Sequence, residues 1–214
     1  MKKRDFSTLR QEYAALAFNK NMAHADPIVQ FSRWFEQAIE TGHPDPSAMT
    51  LATVSPDGQP AARVVLLKDF DQEGFVFFTN YNSHKGMQLD HNPRAALVFL
   101  WLELYRQVRV EGTVQKVSPN ESDEYYATRP RDSQLGAHAS VQSKAIPDRQ
   151  HLDDRYHEMD EKYRQTTPPR PLHWGGYRLA PRRIEFWQGR ENRLNDRLLY
   201  EKVNDQWLIS RLAP

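Results

Sequence analysis

The hydrophobic period of this chain changes repeatedly from residue 49 onward, and that alternation constrains its fold more than any other feature. Residues 49–54 and 61–67 are β-prone runs joined by Ser55-Pro56-Asp57-Gly58, a strong turn signal. A turn region over 69–74 leads into Phe75-Val76-Phe77-Phe78-Thr79, and 95–102 and 107–117 read as two further strands. The tail returns to strands at 177–179, 184–188, 197–202 and 207–212, with Asn204-Asp205 as a turn. Helical signals sit between these runs. Asp26 caps a helix with Pro27 at its first position and Ile28, Phe31, Phe35 and Ile39 on one face, ended by Gly42. Ser83 caps a short helix that must stop before Pro93, and Ser118-Pro119-Asn120-Glu121 is a capping box opening a helix through about Thr128. A polar helix is expected over 148–165, stopped by Pro168, Pro169 and Pro171.

Helices inserted between hairpins predict a mainly β chain with peripheral α, an antiparallel barrel carrying helices on its outside; the strand–helix rhythm of a parallel α/β sheet is missing. Residues 1–24 lack a strong period, apart from a helical possibility over 9–18, and read as a mobile N-terminal arm before a single domain spanning 25–214.

Charge and composition then exclude function classes. Lys and Arg number 29 against 28 acidic residues, so no global attraction to nucleic acid exists and each cation must be judged as a ligand for a small anion. With no cysteine, thiolate nucleophiles, disulfides and Cys-based metal sites are out. No apolar stretch follows the charged start Met1-Lys2-Lys3-Arg4-Asp5, and 95–104 is too short for a bilayer and contains Glu103, so a cytoplasmic, non-membrane protein is expected. The Rossmann, Walker and nucleophile-elbow glycine patterns do not occur. His151 and His157, six apart, fall on different helix faces and suggest no metal, while Asp153-Asp154 reads as the wet side of the same helix.

Four constellations remain. On a strand, Arg63 and Lys68 of Arg63-Val64-Val65-Leu66-Leu67-Lys68 occupy opposite faces, either as charges protecting an edge or as ligands of two different anions. In Phe78-Thr79-Asn80-Tyr81-Asn82-Ser83-His84-Lys85, a cation in a first helical turn opposes the helix dipole unless an anion sits there too. Arg129-Pro130-Arg131-Asp132-Ser133-Gln134 holds two arginines and a hydroxyl beside a stiff proline, which suits phosphate, although a polar loop with an Asp132–Arg pair is the plainer alternative. Finally, Trp187 and the Arg193–Asp196–Arg197 group fit a core tryptophan and a solvated salt-bridge cluster equally well.

As an ordered set, R-V-V-L-L-K, F-T-N-Y-N-S-H-K, R-Q-V-R-V-E-G, R-P-R-D-S-Q-L-G-A, Q-S, W-G-G-Y-R and I-E-F-W-Q-G…R-L-N-D-R-L-L-Y resemble the pyridoxamine/pyridoxine 5'-phosphate oxidase family, from about Leu9 to the closing Arg211-Leu212-Ala213-Pro214. The resemblance implies a split β-barrel flavoprotein, a homodimer with FMN in clefts between subunits. It implies oxidation of pyridoxine and pyridoxamine 5'-phosphate to pyridoxal 5'-phosphate, with O2 reduced to hydrogen peroxide. Position by position it puts Arg63, Val64, Val65, Leu66, Lys68, Phe78, Thr79, His84, Lys85, Gln107, Gln142, Ser143, Trp187 and Arg197 around FMN. It assigns the substrate's phosphate to Lys68, Tyr125, Arg129 and Ser133, places Arg193 and Asn195 beside the reacting carbon, and gives Arg10 and Tyr13 to a closing N-terminal segment. Arg131 and Asp132 are expected to hold their loop in shape.

Two departures stand out against that pattern. His84 replaces a common arginine with a residue type that titrates near neutrality, and Asn195 replaces a common histidine with a group that hydrogen-bonds but cannot act as a base. The rival readings are another split-barrel flavin reductase, disfavoured by the matched Lys68, Tyr125, Arg129 and Ser133, and a non-catalytic carrier of FMN or pyridoxal phosphate, for which Asn195 would be the mark.

Overall fold

A computed structural model describes residues 17–214. Arg10 and Tyr13 therefore lie outside the described residues. The first element is α1 (Pro27–Glu40), capped by Asp26, whose carboxylate accepts from the Ile28 amide at 2.7 Å. Its buried face is Ile28, Phe31, Trp34 and Ala38; Ile39, expected on that face, is exposed. The strands follow as β1 (Ala48–Val54), β2 (Pro60–Leu66), β3 (Asp69–Asp71), β4 (Gly74–Asn80), β5 (Arg94–Trp101), β6 (Arg106–Lys116), β7 (Trp174–Gln188), β8 (Asp196–Val203) and β9 (Gln206–Arg211). Between them lie α2 (His84–His91), α3 (Pro119–Thr128), α4 (Arg131–Ala139) and α5 (Arg149–Lys162). Among the described residues the strands form one sheet with main path β2-β1-β5-β6-β7-β4-β3, and β8 and β9 continue from β7. The pairings β1–β2, β3–β4, β4–β7, β7–β8 and β8–β9 are antiparallel.

Three expectations change. Residues 69–71, expected within a turn, pair with β4 as a short strand. The runs 177–179 and 184–188 belong to one continuous strand, because Pro181 falls between its pairing with β4, which ends at Leu179, and its pairing with β8, which begins at Arg183. The third change concerns the site: Arg131 to Ala139 is a helix, where a loop was the alternative reading.

Two compact, discontinuous units make up the described backbone, one of 47–97 with 111–181 and one of 17–46 with 98–110 and 182–214. The second unit is built on aromatic packing: Phe31 meets Phe99 at 4.9 Å, Trp34 meets Phe186 edge-on at 5.2 Å, and Phe186 meets Tyr200 at 5.3 Å. The first buries Met49 and Leu51 of β1, Phe75 and Phe77 of β4, Leu97 and Leu179, each contributing about 1.5–3 kcal/mol on transfer from water. A satellite cluster of Leu135, Ala139 and Met159 packs α4 on α5. No helix among the described residues is long and apolar enough to cross a membrane.

Candidate active site

A cleft of about 870 Å³ opens in the unit built from 47–97 and 111–181. Arg63, Val64, Val65 and Leu66 of β2 line it, with Lys68 just beyond. The expected alternation does not hold Arg63 and Lys68 apart, since β2 stops at Leu66 and both reach the same cavity. From β4 and its exit come Phe78, Thr79 and Asn80, and from the start of α2 His84 and Lys85. Tyr125, Thr128, Arg129, Pro130 and Ser133 enter from α3 and the opening of α4, with Gln142, Ser143 and Trp174 completing the wall. Among the described residues no Asp or Glu lines this cleft.

Its cations are held by neutral groups. Arg63 Nη1 donates to Thr53 Oγ1 at 2.6 Å and to the Leu51 carbonyl at 3.0 Å, while Nη2 donates to Gln88 Oε1 at 3.2 Å. Lys85 is buried, and its ammonium donates to Thr79 Oγ1 at 3.2 Å. Burial, and secondarily the nearby Arg63, hold the Lys85 pKa below the ordinary lysine value. Gly86 makes this placement possible: a Cβ there would lie 2.0 Å from the Tyr81 carbonyl oxygen, so only glycine lets the first turn of α2 pack that closely.

The second cationic group is centred on Arg129, the residue that closes α3. Its guanidinium lies over Trp174, 4.4 Å from the ring centroid, and the buried Nη1 has no hydrogen-bond partner. Trp174 belongs to an aromatic stack with Phe78 and Tyr125, which lie 3.9 Å apart at 17°. Burial lowers the Arg129 pKa, outweighing Tyr126 and Tyr125, which act to raise it. Next to it, α4 starts at Arg131 with no side-chain cap, so its first amides are free to meet an anion alongside Ser133. Arg131 and Asp132 face elsewhere: Arg131 donates to Asp160, Tyr163 and Thr166, and Asp132 accepts from the Tyr156 hydroxyl, as their expected shape-holding role requires.

Asn80, Thr128, Pro130 and Trp174 are wall residues that the sequence pattern did not assign. Trp174 stood inside the W-G-G-Y-R motif, but its meaning comes from rings distant in sequence. Conversely, Gln107, Trp187, Arg193, Asn195 and Arg197 belong to the other unit and do not line this cleft. Trp187 and Arg197 stand opposite each other in the β7–β8 register. The Asn195 carboxamide accepts from the Arg190 amide at 3.0 Å, and Arg193 is exposed with φ 61°.

An antiparallel half-barrel with outer helices, holding a cation-lined cleft with no carboxylate among the described residues, defines the split-barrel class. The crystal structure of a pyridoxamine 5'-phosphate oxidase-related, FMN binding protein from Nostoc punctiforme shares this fold, with TM-score 0.71 at 17% identity over 86% of this chain and 97% of that one. Residues 35–163 match the family model described as Pyridoxamine 5'-phosphate oxidase, and 174–214 match the Pyridoxine 5'-phosphate oxidase C-terminal dimerisation region. The chain belongs to the pyridoxamine 5'-phosphate oxidase family. A pyridoxine/pyridoxamine 5'-phosphate oxidase of Trichormus variabilis is 55% identical over 99% of both chains, and one of Rubrobacter xylanophilus is 54% identical over 99% of this chain and 98% of its own. PhzG from Burkholderia lata, solved in complex with tetrahydrophenazine-1-carboxylic acid, superposes with TM-score 0.89 at 29% identity over 95% of this chain and all of that one.

Proposed function

We propose that this chain is an FMN-dependent oxidase that converts pyridoxine 5'-phosphate and pyridoxamine 5'-phosphate to pyridoxal 5'-phosphate, with O2 as the final acceptor and hydrogen peroxide as product. One observation of the structure carries the reading. Two groups of cations, Arg63 with Lys85 and Arg129 with the exposed Lys68, line one cleft with no carboxylate among the described residues; Lys85 is buried, and Arg129 holds a buried N–H with no partner. Desolvated cations without counter-ions are costly unless a ligand completes them. A cofactor phosphate and a substrate phosphate do so, and the donor set fits both.

In this reading Arg63, Thr79, His84, Lys85, Gln142 and Ser143 hold the FMN phosphate end, and Val64, Val65, Leu66 and Phe78 border the cofactor. Lys68, Tyr125, Arg129 and Ser133 take the substrate phosphate. Bound FMN supplies the two-electron chemistry. The chain's own part is to anchor the substrate far from its reacting carbon, so that phosphate binding orients a small ring, and to keep water from the cleft. Trp187, Arg193, Asn195 and Arg197 lie in the segment that matches the dimerisation region. This supports a homodimer in which a second copy brings them, and Gln107, which also lies outside the cleft wall, is grouped with them as a flavin contact. Because FMN and phosphorylated vitamers are charged and do not cross bilayers unaided, a cytoplasmic location follows.

The test begins with the flavin spectrum of the purified protein, then assays pyridoxal phosphate and peroxide from each vitamer. Anaerobic addition of pyridoxine 5'-phosphate should bleach the bound flavin. Flavin that stays oxidised with both vitamers would reject the oxidase in favour of a carrier or a reductase of other substrates.

A further inference from the structure

Gln88, on α2, is absent from the cleft wall yet sits where its charge state matters most. Its Oε1 accepts from the Thr53 hydroxyl at 2.6 Å and from Arg63 Nη2 at 3.2 Å, while Thr53 Oγ1 accepts from Arg63 Nη1 at 2.6 Å. Thr53 is 1% exposed, so this three-membered ring of hydrogen bonds is sheltered from water. The remaining Arg63 contacts are the backbone carbonyls of Leu51 and Ala61. Among the described residues every group that fixes the guanidinium is thus neutral, and Lys85 close by donates to the hydroxyls of Thr79 and Ser83.

We infer that Gln88 is a positioning residue that fixes Arg63 with an uncharged acceptor, leaving the full charge of the Arg63–Lys85 pair available to the cofactor's phosphate. A carboxylate at this place would hold Arg63 as firmly but would neutralise it in advance. The depressed pKa of Lys85, due first to burial and then to Arg63, agrees with two cations held together without compensation. Such a pair raises the free energy of the ligand-free protein and returns that cost when a phosphate binds, because like charges in a sheltered site repel until a dianion enters. The neutral amide therefore trades stability of the empty protein for phosphate discrimination.

The inference rests on the reading of Arg63 as an FMN-phosphate ligand, and the experiment separates the two. FMN and riboflavin, which lacks the phosphate, are titrated into full-length apoprotein by flavin fluorescence quenching, for wild type, Gln88→Glu, Gln88→Met and Arg63→Met. Gln88→Glu should weaken FMN at least tenfold, about 1.4 kcal/mol, change riboflavin less than twofold, and raise the melting temperature of the apoprotein. Gln88→Met, which loses the acceptor without adding charge, should lower that melting temperature. Equal weakening of FMN and riboflavin by Gln88→Glu, or an unchanged FMN affinity while Arg63→Met abolishes the preference for FMN, overturns the role of Gln88 and leaves the cleft reading standing. A preference for FMN that survives Arg63→Met overturns the phosphate assignment of Arg63, and the inference with it.

Discussion

Replacing Arg129 tests the substrate-phosphate assignment directly. Its guanidinium is fixed on two sides, by the Trp174 face at 4.4 Å and the Tyr126 face at 5.6 Å, so little side-chain entropy remains to be lost on binding. The unpartnered Nη1 supplies at least one charge-assisted hydrogen bond, worth about 1.5–3 kcal/mol. Arg129→Met should therefore lower kcat/KM for pyridoxine 5'-phosphate by roughly ten- to a hundredfold. Because the phosphate is remote from the oxidised carbon and held alike before and during reaction, most of the loss should appear in KM. Arg129→Lys keeps the charge but not the planar stack or the fork of donors, and should recover only part of the affinity. Steady-state assays of pyridoxal phosphate formation, alongside flavin content by absorbance, read both effects. If KM stays at the wild-type value, or flavin is lost in parallel with activity, the cleft is not divided between the two phosphates as drawn.

Gly86→Ala forces a Cβ to within 2.0 Å of the Tyr81 carbonyl unless α2 moves, so thermal unfolding should shift down by about 1–3 kcal/mol and FMN retention should fall with it; an unchanged pair of values refutes the close-packing argument. Asn195→His should raise turnover while leaving flavin content alone if proton transfer at that position limits the rate, and an unaltered kcat removes Asn195 as a cause. Acid stability should depend on Asp196. Burial pushes its carboxyl up, but the Phe18 amide at 2.9 Å and Arg211 outweigh that and hold it below the usual aspartate value. A depressed folded pKa gives stability that is present above the unfolded value, near 4, and is lost as pH falls through the folded value. Melting curves of wild type and Asp196→Asn should accordingly diverge at neutral pH and converge in acid; a constant difference across pH would exclude the linkage.

The hairpins and capped helices were legible because turn chemistry and N-caps are local: Asp26, Ser83 and Ser118 all accept hydrogen bonds from the first turns they precede, and Asp148, expected inside its helix, proves to be a cap as well. The start of α4 was not, for it has proline where a capping side chain would announce it, and its amides are left open toward the cleft. Glu121 shows a subtler limit. Ser118 accepts from its amide as a capping box requires, but the Glu121 carboxylate goes to Arg178 instead, which also binds Asp71 beyond the opposite hairpin. Individual residues of the cleft wall were readable as motifs, whereas the platform beneath Arg129 was not. Trp174, Tyr125 and Phe78 come from three separate elements, and no spacing in the sequence relates them.

Partner charge separates the arginines that line the cleft from those that hold the fold. Arg131 pairs with Asp160, Arg170 with Asp123, and Arg178 with Asp71 and Glu121, so their charges are already answered within the protein. Among the described residues Arg63 and Arg129 have only neutral partners, and both line a cavity. Both conditions are needed: Arg106 also has neutral partners, Gln188 and the Trp34 face, and burial drops it to about 10, yet it lines none of the cleft. By the same criterion Arg197 differs in kind from Arg63. Its Nε donates to the buried Glu185 at 2.7 Å, and that carboxylate raises its pKa. As a flavin contact it would bring directed N–H groups and a planar face but little net charge, which suits the uncharged edge of a ring system and not a phosphate.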